Sequence, residues 1–308
     1  MNLSTTIATI TMKNPVATAA GTFGEGAPFT DFIDVSKLGA IIAKGCSLEP
    51  WKGNAPHRVV ETPSGMLNSI GLQNDGVEGF IAKKLPLLQS FGIPIIVGVF
   101  DKTPAHYGRI VERLSREKDI AGFEANLSCP NLEAGGKTFC DYSDLVFEAV
   151  SCIRKATRLP IIAKLSPNVT DIVGIAQAAR EGGADALSLI NTLVGMRINV
   201  KTREPYIAKN TGGLSGPAIR PVAVAKVFLV AQAKLGIPII GIGGIQTGED
   251  AIEFLLAGAS AVAVGAANFV NPRATLDVLQ GIERYMQENG VENITDLIGA
   301  VRPHRVLD

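Results

Sequence analysis

The chain has 308 residues, 46% of them hydrophobic, and its 29 basic side chains are balanced by 29 acidic ones. This zero net charge argues against the broad basic surface that nucleic-acid binding needs. The longest apolar runs, such as residues 93–100, are less than half a bilayer span, so no membrane segment is expected. Residues 1–14 lack the basic-then-apolar order of a signal peptide, and the sequence therefore predicts a cytoplasmic enzyme.

Short apolar runs alternate with helical patterns along the chain, which is typical of βαβ units and a parallel sheet. Residues 7–12 are expected to form an outer hairpin strand, and residues 15–20 the first barrel strand. Strands two to eight are predicted at residues 41–44, 94–100, 122–127, 160–165, 186–190, 238–242 and 261–264. Apolar spacings of three and four predict helices at 77–88, 104–116, 143–156, 171–180, 217–233, 249–256 and 272–288. Pro104, Pro217 and Pro272 are expected in first helical turns.

Eight strands in this alternation predict a (βα)8 TIM barrel with an N-terminal hairpin, although a doubly wound sheet would also produce such repeats. Two connections are too long for simple loops, residues 45–75 after strand two and residues 192–215 after strand six. Because both follow strands, both are expected over the mouth of the barrel. Neither has the composition of a linker, so the whole of residues 1–308 is expected to be one domain.

Polar residues and paired glycines recur where the predicted strands end. Lys44, Asn126, Lys164 and Asn191 each close an apolar run, and Gly243–Gly244 follows another. The carboxyl ends of barrel strands meet at one face, which is the face that carries the chemistry in such enzymes. We therefore expect these groups to surround one pocket.

Cys129 is the most conspicuous candidate for a reactive group. It follows the fourth predicted strand, and Pro130 after it cannot continue a strand or a helix, which places the thiol on a loop. Gly135–Gly136 is a plausible hinge for a lid. Cys46 and Cys152 are expected to be small buried hydrophobes and Cys140 to be structural. The chain has no Cys-x-x-Cys pair, so no zinc or iron–sulfur site is expected. Disulfides are not expected either, because the predicted compartment is reducing.

Glycine-rich turns after strands seven and eight predict a phosphate site. Residues 243–248 follow strand seven and precede a helix, and residues 265–268 follow strand eight. This is the usual place for a phosphate in a barrel, where backbone N–H groups and a helix N-terminus converge. Residues 241–246 lack the third glycine of the dinucleotide fingerprint, so a mononucleotide fits better than NAD.

Several segments together resemble the class 1 dihydroorotate dehydrogenases, and most of all the class 1B catalytic subunit. The resemblance extends over nearly the whole chain and preserves the order of residues 68–74, 126–131, 164–168, 191–192 and 212–217. It implies a barrel that binds one flavin mononucleotide (FMN) and oxidises dihydroorotate to orotate in pyrimidine synthesis.

The resemblance also implies roles for individual residues, with Cys129 as the catalytic base. A positioned thiol suits that task because its pKa of about 8.5 can be lowered towards neutrality by positive charge. The implied substrate contacts are Lys44, Asn68, Ser69, Ile70, Gly71, Leu72, Asn126, Asn191 and Thr192. The implied cofactor contacts are Gly21, Lys44, Gly45, Asn126, Lys164, Ile190, Gly216, Gly243, Gly244, Gly265 and Ala266. One departure stands out, since Gly98 takes the place of an asparagine in the family pattern.

The chain lacks a second flavin motif and an iron–sulfur cysteine set through which electrons could leave. The class 1B resemblance implies a homodimer that joins an electron-transfer subunit, with FAD and a [2Fe-2S] cluster, into a heterotetramer linked to NAD. Alternatives are a fumarate-linked class 1A enzyme, a related flavin-dependent pyrimidine reductase, and a non-catalytic flavin-binding subunit. A Schiff-base aldolase using Lys44 or Lys164 is a further alternative.

Overall fold

The computed structural model describes residues 1–128 and 138–302, and its centre is a sheet of eight parallel strands. The strands are β1 (Val16–Thr18), β2 (Ile41–Cys46), β3 (Ile95–Val99), β4 (Ile120–Asn126), β5 (Ile161–Lys164), β6 (Ala186–Leu189), β7 (Ile239–Ile242) and β8 (Ala261–Val264). They pair in the order β1, β8, β7, β6, β5, β4, β3, β2. A bridge between Ala17 and Ala40 closes the ring. The Thr18 hydroxyl also joins β1 to β2, because it accepts from the Ile42 N–H at 3.1 Å and donates to the Ile42 carbonyl at 3.3 Å. The predicted (βα)8 barrel is confirmed.

The amino end of the barrel is closed by a hairpin of two strands, Thr5–Ile7 and Ile10–Met12. The predicted N-terminal hairpin is confirmed, although residues 7–12, expected to form one of its strands, include the turn between the two strands. Ala8 has a φ of 53°, which allows the chain to reverse in a tight turn. The fully buried Ile7 and Met12 pack in one cluster with residues of the barrel interior, among them Ile162.

The outer layer is formed by helices α1 (Gly76–Lys83), α2 (Leu85–Ser90), α3 (Pro104–Leu114), α4 (Ser143–Ala156), α5 (Ile172–Glu181), α6 (Arg220–Gln232), α7 (Gly248–Ala257) and α8 (Ala274–Glu288). Single-turn α-helices lie at Ala20–Phe23 and Ala267–Val270. Short 3-10 helices lie at Ala27–Phe29, Val35–Lys37, Phe139–Asp141, Pro217–Ile219 and Ile294–Leu297. In the described ranges no helix is both long and apolar enough to cross a membrane.

Three of the helix predictions need correction, each at a proline. The helix expected over residues 77–88 is two helices, because Pro86 lacks an N–H and starts α2 instead of continuing α1. Pro217 begins a 3-10 turn that leads into α6. Pro272 precedes α8, which begins at Ala274. Pro104 occupies the first turn of α3, as predicted.

The two long connections join over the carboxyl end of the barrel. Val59–Thr62 and Gly65–Asn68 come from the connection after β2, and Leu193–Gly195 and Gly212–Ser215 from the one after β6. They form one four-stranded antiparallel sheet, in which Asn68 lies opposite Gly213. A two-stranded ribbon, Ile198–Asn199 with Glu204–Pro205, extends the second connection. The predicted insertions after strands two and six are confirmed.

Candidate active site

The strand register brings the predicted polar residues into one layer at the carboxyl end of the barrel. Asn126 on β4 lies opposite Lys164 on β5, and Lys164 lies opposite Ser188 on β6. Side chains alternate across a strand, so Lys164 shares the inward face of Ile162, which belongs to the interior cluster. On β2, Lys44 lies two residues after Ile42, which also belongs to the interior cluster, so Lys44 likewise faces inward. The amino half of the interior is therefore apolar and the carboxyl half is polar.

Lys44 is a partly buried cation without an ion-pair partner among the described residues. Its ammonium forms no hydrogen bond or ion pair with any residue that the structure describes, although its backbone N–H donates to Gly24. Burial lowers the pKa of Lys44 below its ordinary value, and the nearby positive charges of Lys84 and Lys164 lower it further. Such a group favours an anionic or electron-rich ligand, which would relieve the repulsion between the lysines.

Lys164 has a buried counter-ion that the sequence analysis did not identify. Its Nζ lies 3.6 Å from the Glu124 Oε2, and the Ser188 hydroxyl donates to the Glu124 Oε1 at 2.9 Å. Glu124 is 1% exposed and Ser188 fully buried. A signal was present in the sequence, because Glu124 is an ionisable residue in the middle of an otherwise apolar strand.

Asn126 is held in a fixed orientation by its side-chain oxygen. Asn191 donates to this oxygen from Nδ2 at 3.1 Å, and the Ser128 N–H donates to it at 3.2 Å. The Tyr107 hydroxyl holds the backbone by donating to the Asn126 carbonyl at 2.7 Å. Within the described part of the chain the Asn126 NH₂ group has no acceptor, so it is a prepositioned donor. The Thr192 N–H in turn donates to Asn191 Oδ1 at 2.9 Å.

The segment of residues 68–72 lies beside this layer and uses its polar side chains to maintain its own shape. Asn68 Nδ2 donates to the Gly213 carbonyl at 3.3 Å, and the Ser69 hydroxyl accepts from Asn54 Nδ2 at 2.8 Å. Gly71 has a φ of 74°, and a Cβ there would collide with Asn54. Asn54, which sequence reasoning missed, therefore braces the loop. Ile70 and Leu72 are both partly exposed.

Turns after β7, after β8 and after the strand Gly212–Ser215 leave backbone donors unused. In residues 1–128 and 138–302, the N–H groups of Gly216, Gly244 and Ala266 have no backbone acceptor. Gly216 and Gly244 have φ values of 102° and 74°, which favour glycine. Gly243 has a φ of 136°, and Gly265 follows β8 directly. This set is suited to holding a phosphate.

At the helix N-terminus after β7, where the sequence predicts a phosphate site, a capping box uses some of the N–H groups. The Thr247 hydroxyl accepts from the Asp250 N–H at 3.2 Å, and Asp250 accepts from the Thr247 N–H at 2.9 Å. The Arg220 guanidinium is also engaged in ion pairs, one with Asp250 and one with Glu253 at 3.3 Å. Among the described residues, the unused N–H groups of the glycine turns and of Ala266 are the donors best suited to a phosphate.

Gly98 has a packing explanation. A Cβ on it would lie 2.9 Å from the Gly45 Cα, and a Cβ on Gly45 would lie 2.9 Å from the Gly98 carbonyl oxygen. The register between β2 and β3 shifts at this point, between Ala43 and Cys46. The two strands approach too closely here for a side chain at either position. Gly21 differs, since a Cβ there would meet no atom within 4 Å.

Cys129, Gly135 and Gly136 lie outside the described residues. Among the other cysteines, Cys46 and Cys140 are buried, and burial raises the pKa of each to about 12. Both are therefore unsuited to act as a base near neutral pH, as expected. Cys152 on α4 is half-buried, where a fully buried side chain was expected.

Comparison with known proteins identifies the family. A family model described as dihydroorotate dehydrogenase matches residues 2–286. The chain belongs to the dihydroorotate dehydrogenase family. It is 53% identical over 298 residues to a protein of Alkaliphilus oremlandii named dihydroorotate dehydrogenase B (NAD(+)), catalytic subunit, with 97% of this chain and 98% of that protein covered.

Relatives with the same name occur in two Geotalea species. The one from Geotalea daltonii is 52% identical over 301 residues, covering 98% of each chain. The one from Geotalea uraniireducens is 51% identical over 300 residues, covering 97% of this chain and 98% of the relative. The resemblance to class 1B dihydroorotate dehydrogenases is thereby confirmed over almost the full length.

The donor set fits the flavin of this family. Unused N–H groups at Gly216, Gly244 and Ala266 suit a phosphate, and the cations of Lys44 and Lys164 suit the electron-rich end of a flavin ring. The Asn126 NH₂ group adds a donor whose orientation is fixed by the hydrogen bond from Asn191 to the Asn126 side-chain oxygen. No group of three or more potential metal ligands occurs among the described residues.

Proposed function

We propose that this chain is the FMN-dependent catalytic subunit of a class 1B dihydroorotate dehydrogenase, an oxidoreductase of de novo pyrimidine biosynthesis. It oxidises (S)-dihydroorotate to orotate. The observation that carries the proposal is the polar layer at the carboxyl end of the barrel, in which Lys44 has no described partner and Asn126 presents a fixed donor. Full-length relatives with that name support the same conclusion.

The oxidation breaks two C–H bonds on adjacent carbons, one as a proton and one as a hydride. Cys129 takes the proton in this proposal, which needs its thiolate form. Lys44 and Lys164 would promote that form through their positive charge. Bound FMN supplies the hydride acceptor, because no amino-acid side chain accepts a hydride.

Recognition of the substrate follows from its carboxylate and its cyclic imide. Lys44 is suited to the carboxylate, since burial leaves its ammonium in need of an anion. Asn68, Asn126 and Asn191 are suited to the imide edge because a carboxamide both donates and accepts. Thr192, with Ser69, Ile70, Gly71 and Leu72, would shape the rest of the pocket.

FMN would be held through its phosphate and its ring. Gly216, Gly243, Gly244, Gly265 and Ala266 would bind the phosphate through backbone N–H groups. Gly21, Gly45 and Ile190 would line the ring, with Lys164 at its pyrimidine end. In this proposal the whole FMN-binding unit is one domain of residues 1–308.

The electrons would leave through a partner. The relatives are named catalytic subunits of an NAD(+) enzyme, and the described residues contain no cluster of metal ligands. We propose a homodimer that binds an electron-transfer subunit with FAD and a [2Fe-2S] cluster, giving a cytoplasmic heterotetramer.

The decisive experiment is anaerobic titration of the FMN-reconstituted chain with dihydroorotate. Loss of flavin absorbance at about 450 nm, with orotate formed in equal amount, is the expected result. Turnover with NAD should then require the partner subunit. Rapid turnover of the isolated chain with fumarate would replace class 1B by class 1A, and borohydride trapping of a lysine adduct would favour an aldolase.

A further inference from the structure

A buried ion pair lies behind one of the two candidate flavin-binding lysines. Lys164 Nζ is 3.6 Å from Glu124 Oε2, and the Ser188 hydroxyl donates to Glu124 Oε1 at 2.9 Å. We propose that Glu124, held by Ser188, is the counter-ion that limits the positive charge Lys164 presents to the flavin, and so tunes the flavin's reduction potential. The inference rests on the proposed function, which places the flavin beside Lys164.

The burial of Glu124 makes its partners necessary. Its side chain is 2% exposed and that of Lys164 10% exposed. An ionised carboxylate taken out of water costs several kcal/mol unless it is paired and hydrogen-bonded. Ser188 and Lys164 provide one contact to each carboxylate oxygen. The three side chains therefore form one charge-balanced group spanning β4, β5 and β6.

The geometry of the pair leaves the Lys164 ammonium available. At 3.6 Å the contact is an ion pair and too long for a good hydrogen bond. Within the described ranges the Lys164 side chain has no other partner, so its N–H donors remain free. The carboxylate thus supplies charge without occupying the donors that a flavin oxygen or nitrogen would use.

The strand register places the carboxylate behind the ammonium. Glu124 lies opposite Ile162, whereas Asn126, two residues nearer the carboxyl end, lies opposite Lys164. Glu124 therefore starts one layer deeper in the barrel than Lys164. A ligand at the mouth would meet the ammonium first and the carboxylate behind it.

Lys44 shows what happens without such a counter-ion. It follows the interior residue Ile42 as Lys164 follows Ile162, and burial together with the charges of Lys84 and Lys164 lowers its pKa. The two lysines therefore differ in their surroundings. Lys44 has no carboxylate partner among the described residues and is proposed to bind the substrate, whereas Lys164 is paired with Glu124 and is proposed to contact the flavin. A flavin gains negative charge when it is reduced, so a fully exposed cation beside it would raise its potential.

The test replaces Glu124 in the FMN-reconstituted chain and measures the reduction potential of the flavin by anaerobic equilibration with a reference dye. Glu124→Gln removes the carboxylate and keeps the shape, and it should move the flavin–dye equilibrium roughly tenfold towards reduced flavin. Glu124→Asp keeps the charge but withdraws it from Lys164, so the shift should have the same sign and be smaller.

Asp185→Asn is the matched control. Asp185 lies just before β6 at the opposite end of the barrel, where it accepts from the Ile161 N–H and pairs with Arg154, both at 2.8 Å. This substitution removes the same charge and should leave the potential unchanged.

Each outcome decides between the two proposals. A potential that is unchanged or lowered in both Glu124 variants, or raised equally in Asp185→Asn, would overturn the role of Glu124 and leave the dehydrogenase assignment intact. Failure of the unsubstituted chain to bind FMN would overturn the proposed function itself. If Glu124→Gln does not fold, the sign of the shift in Glu124→Asp settles the question.

Discussion

The two ends of the barrel interior are built on the same strands, yet they differ in almost every property. At the amino end Ile42 and Ile162 are fully buried and pack with the hairpin residues Ile7 and Met12. Two residues further along β5 stands Lys164, which faces the same interior but belongs to a polar layer. One end is filled with apolar side chains, and the other carries charged side chains and unused hydrogen-bond donors.

The difference shows how one fold separates stability from chemistry. The plug, the cluster of aliphatic side chains that includes Ile7, Met12, Ile42 and Ile162, stabilises the barrel by removing apolar surface from water. At the carboxyl end Lys44 has no ion-pair partner and several backbone N–H groups have no acceptor among the described residues, which costs stability. The burial of the aliphatic side chains at the amino end offsets this cost. Substitutions at the two ends should therefore have effects of different kinds.

The largest effect is expected at Cys129. Replacing it by Ser removes the proposed base, and flavin reduction by dihydroorotate should slow by about 10²–10⁴-fold while FMN is still bound. Stopped-flow absorbance under anaerobic conditions measures this rate. Cys152→Ser on α4 is the control and should react at the unsubstituted rate. A Cys129→Ser protein that reduces its flavin normally would remove the thiol from the mechanism.

Substitutions in the plug should change stability and leave the rate of flavin reduction unchanged. Ile162→Ala leaves a cavity at a fully buried position and should lower the free energy of unfolding by about 2–5 kcal/mol. Ile162→Val should cost about 0.5–1.5 kcal/mol. Urea denaturation of the apoprotein measures both. The folded Ile162→Ala protein should reduce its flavin at the unsubstituted rate. A clearly slower rate in the folded variant would contradict the separation of the two ends.

The close approach of β2 and β3 can be tested at Gly98. Gly98→Ala puts a Cβ 2.9 Å from the Gly45 Cα, so the strands must move apart, at a cost of about 1–3 kcal/mol. Gly21→Ala, where a Cβ meets no atom within 4 Å, is the control and should not destabilise the apoprotein. Equal stability of the two variants would show that this contact does not exclude the family's asparagine.

The smallest effect concerns the pH dependence of stability at Lys44. Its folded-state pKa lies below the ordinary 10.5, so between these two values the unfolded chain binds more protons than the folded one. Stability should therefore rise with pH across that window, by about 1.4 kcal/mol for each unit that separates the values. Lys44→Met should lack this rise. Urea unfolding of both apoproteins from pH 8 to 10.5 tests the sign.

Much of the fold was predictable because its signals are local. Continuous apolar runs such as Ile239–Ile242 and Ala261–Val264 mark strands buried on both faces, and their alternation with helices predicts the barrel. Errors arose where a single residue changes the backbone. Pro86 divides the helix over residues 77–88, and the turn at Ala8 makes two strands from one.

The candidate site was predictable in part for the same reason. Lys44, Asn126, Lys164 and Asn191 stand at strand ends, so the barrel brings them together once the strands are recognised. The pairing of Asn54 with Ser69 was not predictable, because it joins two points of an irregular loop. The commitment of Arg220 to Asp250 likewise depends on how α6 packs beside α7.

By itself the sequence determined the strand and helix pattern, the family and the residue types at the mouth of the barrel, since these depend on neighbours along the chain. The tertiary structure decided which of those residues have partners. Lys44 and Lys164 look alike in sequence, and only the register of β5 against β4 and β6 provides Lys164 with Glu124 and Ser188. The physical reason is that the charge state of a buried group depends on atoms within a few ångströms, which come from strands far apart in the chain.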